Sequence, residues 1–437
     1  MGNNSENSRS PASPSPGGRG AGGRESAAPS AESGVRESPA GEAEGGVKVS
    51  EASDAGFGGL LAGGVLGLAV AMGIGRFAYT PILPAMEAEA GLKHFLAGQI
   101  ASWNYLGYLL GTLLFGYLSP RLSFRLLYPA TLAVSCLTTC AMALTAQPFW
   151  WGVLRFLGGV ASCLLFVSIA SQVSAELGRR GRPLASSLLF SGVGLGIAFT
   201  GAVTDLFTAA GGWRGSWAGM GGCAVALSAV SLYFLRHIKE SGWRGEATKD
   251  ETVQRGNALL TVAYFLEGLG YIVTATFLVA IVKQTPGLAG YASLSWVAVG
   301  LSAAVSPVFW QTVAGRIGRL RALAAAYLIQ GAGMYAGIYL TGAGGLFLSA
   351  ASFGGTFIGI TWLAIAEGTS RERGHKGKIV AVLTFAFALG QIVGPPCAGW
   401  VAQASQGFAF SLKIAAGCIL LAALLIRLDR RVSCGNG

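Results

Sequence analysis

FGGLLAGGVLGLAVAMGIGRFAYTPILP, residues 57–84, is an apolar run with a single charged residue, Arg76. At 1.5 Å per residue, a helix of about 20 such residues crosses the roughly 30 Å hydrocarbon core of a bilayer. Runs of this kind recur as far as residue 428. Their spacing predicts twelve transmembrane helices over 57–84, 95–118, 125–146, 148–174, 184–207, 214–236, 257–282, 291–313, 321–342, 346–367, 378–401 and 408–428. The seventh also carries an interior charge, Glu267 in YFLEGLGYIVTATF, residues 264–277. An ionised side chain near the bilayer midplane costs roughly 2.5 to 3.5 kcal/mol on insertion scales, so it faces a wet cavity or a partner rather than lipid.

Composition sets the class. Of 437 residues, 52% are hydrophobic and 12% are charged, with a mean hydropathy of +0.55. Soluble domains average about 25% charged, so this is an all-α, multi-pass membrane protein. The net charge of +11 does not signal nucleic acid binding, because the basic residues are scattered among short connections. Twenty of them fall on the even-numbered connections and the C-terminal end, against Lys93, Arg214, Lys283 and Lys413 on the odd ones. The positive-inside rule then predicts both termini in the cytosol and the cell membrane as the location.

Residues 1–55 hold no aromatic side chain and are rich in Ser, Pro, Gly and Ala, a composition expected of a disordered cytosolic tail. Residues 56–236 read as one six-helix bundle, 237–256 as a cytosolic linker, 257–428 as a second bundle and 429–437 as a short cytosolic tail. The seven cysteines lie almost wholly in apolar runs, and His94, His237 and His375 fall in predicted loops, so neither a disulfide framework nor a metal site is expected.

The two bundles repeat each other. Trp103-xxx-Gly107 and Trp296-xxx-Gly300 are 193 residues apart, Gly158-Gly159 and Gly354-Gly355 are 196 apart, and Gly192/Gly196/Gly201 and Gly390/Gly394/Gly399 are 198 apart. Six helices per unit make the copies parallel, related by an axis along the membrane normal.

Several stretches resemble the major facilitator superfamily over 57–428. GYLSPRLSFR, residues 116–125, resembles its signature between helices 2 and 3, with Pro120 where that signature has an acidic residue. RFLGG, 155–159, is similar to its helix 4 motif, and GQIVGPPCAG, 390–399, to its Gly-Pro kink motif, here on helix 11. More narrowly, GIGRFAYTPILPAM and EGLGYIVTATF resemble the YbfB/YjiJ-like group. The resemblance implies two bundles rocking about a central site lined by helices 1, 4, 7 and 10, and no particular substrate.

Aligning helices 1 and 7 on Gly73-x-Gly75 and Gly268-x-Gly270 pairs Arg76 with Tyr271 and Met72 with Glu267. Residues four apart share a helix face, so Arg76 and Glu267 are expected to face one central space about a turn apart in depth. Two functional readings follow: Arg76 anchors an anionic or zwitterionic solute while Glu267 exchanges a proton, or the two form a gate pair. A carboxyl in a low-dielectric site changes its proton affinity with the distance of a cation. A buried ion pair that merely fixes bundle register is the structural alternative. Arg155 either extends the cationic wall or supports coupling, or else snorkels at the outer interface.

Tyr79, Asn104, Tyr105, Tyr108, Tyr264, Tyr271, Trp296, Trp362 and Gln391 are the polar or amphipathic candidates for lining the site, with several of them alternatively belonging to the interfacial aromatic belt. Pro81, Pro395 and Pro396 are expected to free backbone carbonyls where helices border a cavity. No GxxxxGK[ST] stretch is present, so direct use of ATP is not expected. An intramembrane enzyme would need a His or paired carboxylates beside a nucleophile, so no catalytic residue is assigned. The leading expectation is therefore a secondary transporter moving a small organic solute by alternating access with a proton as coupling ion. A non-transporting sensor or scaffold on the same fold is the second reading and an intramembrane enzyme the third. The lipid bilayer and the solute are the expected partners, with no cofactor, nucleic acid or obligate protein partner.

Overall fold

The structure is a computed structural model describing residues 57–180, 183–238, 257–340, 342–371 and 378–435. The expected tail over 1–55 and nearly all of the expected linker over 237–256 lie outside the described residues. Every regular element described is helical. In chain order these are α1 (Phe57–Ala90), α2 (His94–Leu118), α3 (Phe124–Ala141) and α4 (Pro148–Arg179), followed by a helical path over Pro183–Leu235. That path breaks at Gly211 and Gly212 into α5, 183–210, and α6, 213–235. Then come α7 (Ala258–Gln284), α8 (Ala292–Ile317), α9 (Arg319–Tyr339), α10 (Ala343–Arg371), α11 (Lys378–Ala404) and α12 (Ala409–Gly435).

Among the described residues, nine helices are long and apolar enough to cross a membrane, with Ser187–Leu235 counted as one. α2 and α9 fall short of that hydropathy because α2 carries Gln99, Ser102 and Asn104, and α9 carries Arg319, Arg321 and Gln330. The α5–α6 break is built on Gly212, whose φ of 60° and ψ of −154° suit only glycine. Glu89 of α1 accepts the Trp213 N–H at 3.1 Å and so caps the first turn of α6. At the C-terminal end, α12 continues past 428 to Gly435, and Asp429 pairs with Arg371 of α10 at 2.5 Å.

Burial is inverted relative to a soluble protein. Leu113, Leu137 and Leu206 are each 68% exposed, whereas Asn104, Glu267 and Gln330 are 0% exposed. Apolar surface faces outward around the bundle and polar groups face one another within it, which is the distribution lipid demands.

The repeat is visible in the packing. α1 lies against α5 as α7 lies against α11; α2 against α4 as α8 against α10; α3 against α6 as α9 against α12. The halves meet where α2 runs along α11 and α5 along α8. A Cβ on Gly201 would lie 3.0 Å from the Ser293 carbonyl oxygen, and one on Gly399 would lie 2.3 Å from the His94 carbonyl oxygen. These glycines are repeat-equivalent, and each lets a helix backbone approach the first turn of its partner in the other half. Both contacts sit away from the end that carries Arg179, Arg180, Arg319 and Arg371, here called the Arg-rich end.

α1 is not a continuous α-helix. Its ladder widens over Ala69–Ile74, where Gly75 N–H reaches the Val70 carbonyl at 2.9 Å and Phe77 N–H reaches that of Met72 at 3.0 Å, and α-helical geometry resumes at Tyr79. Pro81 lacks the donor that would engage the Phe77 carbonyl, which instead accepts from Thr80 N–H at 3.2 Å. That contact takes Thr80 away from Arg76, whose carbonyl is left for another donor. α7, the repeat-equivalent helix, is unbroken.

Candidate functional site

The break in α1 places Arg76 inside the protein, 3% exposed. Its Nη2 donates to Gln391 Oε1 of α11 at 2.8 Å, and Gln391 Nε2 donates in turn to the Tyr271 hydroxyl of α7. The Arg76 guanidinium lies over the rings of Tyr105 (4.7 Å) and Tyr108 (4.6 Å) of α2. Such contacts contribute most where water is excluded. No carboxylate pairs with Arg76 among the described residues, and its Nε has no hydrogen-bond partner there.

Arg155 has a different occupation. It is 3% exposed and does not snorkel; its Nη1 donates to the Gly75 carbonyl at 3.0 Å and its Nη2 to the Arg76 carbonyl at 2.9 Å. The fork fills the acceptors left open where α1 breaks, and its plane approaches the Tyr79 ring at 5.1 Å. Asn104 of α2 holds α4 by donating Nδ2 to the Arg155 carbonyl at 2.9 Å, and the Tyr79 hydroxyl donates to the Ala97 carbonyl at 2.9 Å. These contacts fix α1, α2 and α4 to one another.

Glu267 does not pair with Arg76. It is 0% exposed and turned into the second half, where Oε1 accepts from Gln330 Nε2 of α9 at 3.1 Å, and Gln330 Oε1 accepts from the Thr356 hydroxyl of α10 at 3.1 Å. Glu267 Oε2 and the nearby Tyr327 hydroxyl are both buried without a hydrogen-bond partner among the described residues. The gate pair is thus not formed in this conformation. α7 presents Tyr271 toward α10 and α11, while Glu267, one turn earlier, faces α9.

An aromatic slab lies beside the Arg76–Gln391–Tyr271 chain and includes the Tyr271 ring. The Tyr271 ring stacks on Phe387 at 5.3 Å and on Phe357 at 5.9 Å, within 11° of parallel, and Phe387 stacks on Tyr264 at 4.5 Å. Phe77, next to Arg76, meets Phe357 and Trp296 edge-on, each at 6.3 Å. Trp296 is fully buried and donates to Thr200 of α5 at 3.3 Å, so it serves the α5–α8 seam as well. Trp362 is half-buried on α10 and makes no polar contact with the Arg76 group among the described residues. Pro395 and Pro396 lie at the α2–α11 seam, where a Cβ on Gly98 would fall 2.3 Å from the Pro395 carbonyl oxygen.

Beyond Arg76, on the side away from the Arg-rich end, Thr80 Oγ1 donates to the Ala275 carbonyl at 2.5 Å and Gln284 reaches Glu87 at 3.4 Å, joining α1 to α7. His94, expected in a loop, is the first residue of α2 and pairs with Glu87 at 2.8 Å. Glu87, His94 and Gln284 border a cavity of about 570 Å³ that Pro84, Lys93 and Lys283 also line; none of the sequence-predicted site residues lines it. At the Arg-rich end, Glu367 holds Arg319 at 3.0 Å and Arg371 at 2.9 Å, whereas Arg121, where Pro120 replaced the acid of the signature, donates to the Tyr117 carbonyl at 2.6 Å. Among the described residues no group of three or more His, Cys, Asp or Glu could hold a metal ion.

Gln330, Thr356 and Tyr327 escaped the sequence reading. Gln330 was legible in principle, as an amide inside an apolar run, but its pairing with Glu267 needs the α7–α9 neighbourhood.

The helical fold with two packed, repeated halves defines an integral membrane protein of the transporter type. Two solved structures of the nucleoside transporter NupG share it: a mutant form at a TM-score of 0.68, covering 84% of this chain and 99% of that one, and the unmutated protein at 0.63, covering 85% and 98%. Both are 15% identical in sequence, so the likeness is one of fold. Residues 68–427 match the family described as "Uncharacterised MFS-type transporter YbfB", and the chain belongs to that family of major facilitator transporters. Curated relatives include an uncharacterized MFS-type transporter of Yersinia pestis (strain Pestoides F), 28% identical over 139 residues. Another is the uncharacterized MFS-type transporter YcaD of Escherichia fergusonii, 34% identical over 141 residues. Each alignment spans 31% of this chain and about a third of the relative, 36% and 35% respectively.

Proposed function

We propose that this transporter is a secondary active carrier of a small organic solute, driven by protons and working by alternating access in the plasma membrane. In this reading the chain crosses the bilayer twelve times, as bundles 56–236 and 257–428 joined by a cytosolic linker over 237–256, with both termini in the cytosol. Arg76 with Gln391 and Tyr271 forms the solute site, Tyr105, Tyr108 and Phe357 wall it, and Glu267 takes up and releases the coupling proton. Arg155, Asn104 and Tyr79 position α1.

The observation that carries the reading is the hydrogen-bonded chain Arg76–Gln391–Tyr271, which runs from α1 of one half to α11 and α7 of the other. A buried guanidinium held by a neutral amide is a contact that relative motion of the halves must break and that a solute can replace. Glu267 supports the coupling role: it is a buried carboxyl with a neutral partner and one open oxygen, one helical turn from Tyr271. A protonated carboxyl is accommodated there at far lower cost than an unpaired anion. In this reading the contacts of Thr80 and Gln284 that tie α1 to α7 are a closure on the outer side.

The test is uptake of a defined metabolite mixture into proteoliposomes, read by mass spectrometry with and without an imposed pH gradient. Accumulation of a solute that needs both the protein and the gradient is expected. Equal entry at every gradient would remove proton coupling, and no protein-dependent entry or exchange would remove transport.

A further inference from the structure

We infer that the solute recognised at Arg76 is a carboxylate carried on a flat aromatic body, and that Gln391 is the internal stand-in the carboxylate displaces. The inference rests on the assignment of Arg76, Gln391 and Tyr271 to the solute site. The guanidinium presents one edge formed by Nε and Nη2, the edge that meets a carboxylate through two parallel hydrogen bonds. Here Nη2 is held by one neutral amide oxygen at 2.8 Å and Nε, buried, has no partner among the described residues. Half of a two-pronged anion site is therefore filled by a group that can engage only one prong.

Gln391 is itself oriented. Because its oxygen accepts from Arg76, its nitrogen must face Tyr271, to which it donates. A carboxylate arriving at the Nε/Nη2 edge takes the place of that oxygen, releases the amide and frees the Tyr271 hydroxyl on the helix that carries Glu267. Through Gln391, solute binding thus acts on α7 at Tyr271, one helical turn from Glu267.

The body of the ligand follows from the walls. Tyr105 and Tyr108 offer ring faces to the guanidinium, and Phe77, Phe357 and Tyr271 continue the aromatic surface beside it. The Phe357 and Phe387 rings each lie within 11° of the Tyr271 plane, so a flat ring adds to the slab by stacking, whereas a branched aliphatic body does not. A phosphate or dicarboxylate brings further negative charge, and the neighbouring Arg155 has both Nη atoms taken by carbonyls, with its Nε alone unpartnered among the described residues.

The experiment uses purified full-length protein in detergent, with benzoate, phenylacetate and indole-3-carboxylate as probes and the corresponding neutral amides as controls, read by thermal shift and titration calorimetry. The acids are expected to stabilise the protein and the amides to bind about 10- to 150-fold more weakly, the span for hydrogen bonds to a charged group. This acid-to-amide comparison needs no variant. Gln391→Glu places a permanent carboxylate against Arg76 and is expected to abolish acid binding in a protein that melts no earlier than the parent. Arg76→Lys, which keeps the charge and loses the two-pronged edge, is expected to weaken the acids by at least about tenfold. Acids and amides binding alike, no acid binding at all, or undiminished acid binding in Gln391→Glu would each overturn the inference. Gradient-driven uptake of a neutral planar solute such as uridine, with the acids ignored, overturns it and leaves proton-coupled transport standing. Acid binding without any uptake does the reverse.

Discussion

Replacing Arg155 by Met keeps the aliphatic stem and removes the fork that closes the Gly75 and Arg76 carbonyls. The structure gives the size of the loss. Two charge-assisted hydrogen bonds at 3.0 and 2.9 Å disappear, and both carbonyls sit where the α1 ladder has no other donor to offer. In water-soluble proteins each such bond contributes about 1.5 to 3 kcal/mol, but hydrogen bonds within membrane bundles average about 0.6 and reach about 1.7. The membrane values apply, and two bonds give about 1 to 3.5 kcal/mol. Removing a buried cation recovers part of its desolvation, which puts the expected loss in the lower half of that range. Arg155→Lys, able to reach one carbonyl, should lose about half as much. The assay is reversible unfolding in mixed micelles at constant lipid ratio, with solute affinity measured on the same samples. A stability change under about 0.3 kcal/mol, half of one average membrane hydrogen bond, together with a clear rise in the solute dissociation constant, would refute the clamp and return Arg155 to the solute site.

Glu267→Gln is expected to abolish proton-driven accumulation and preserve counterflow exchange in proteoliposomes; intact accumulation would take the coupling role from Glu267. Gly399→Val drives a side chain into the His94 carbonyl, 2.3 Å from its Cβ, so the α2–α11 seam should open on that side. Thiol labelling of a cysteine placed at Ala97 should then accelerate several-fold over the same cysteine in the parent, and an unchanged rate would count against the contact. Glu89→Ala removes the acceptor for Trp213 N–H and should cost about 1 kcal/mol in the same unfolding assay, the usual loss for a helix cap. No loss there would mean that the α5–α6 turn stands on Gly212 alone.

Much of the architecture was legible because lipid enforces a simple rule. Apolar length fixed most of the helices, and the glycine offsets signalled a repeat, whose copies the matching contacts of Gly201 and Gly399 show packing alike. Repeat position did not foretell environment. Trp103 and Trp296 correspond in sequence, yet Trp103 is 46% exposed at the periphery and Trp296 is fully buried at the α5–α8 seam. At the site, Arg76, Tyr271 and Gln391 were each picked out as costly or polar residues in apolar runs, and the structure links them in a chain. That Glu267 meets Gln330 rather than Arg76 could not be read from the sequence, for a geometric reason. Positions 267 and 271 share a helix face, but that face is broad enough to touch α9 with one residue and α11 with the other. Arg155 was unreadable because its partners are backbone carbonyls, freed by a ladder defect that no residue letter records.

That ladder defect gives the two copies of the repeat different mechanics. A continuous helix transmits force along its whole length, as α7 can from Ala258 to Gln284. A helix whose hydrogen bonds change register midway is a jointed lever, and α1 is bolted at its joint by one guanidinium from a neighbouring helix. Arg76 sits on the joint itself, so a ligand that pulls on this residue works the hinge directly. Duplication supplied two matching arms, and divergence left one of them stiff and the other articulated.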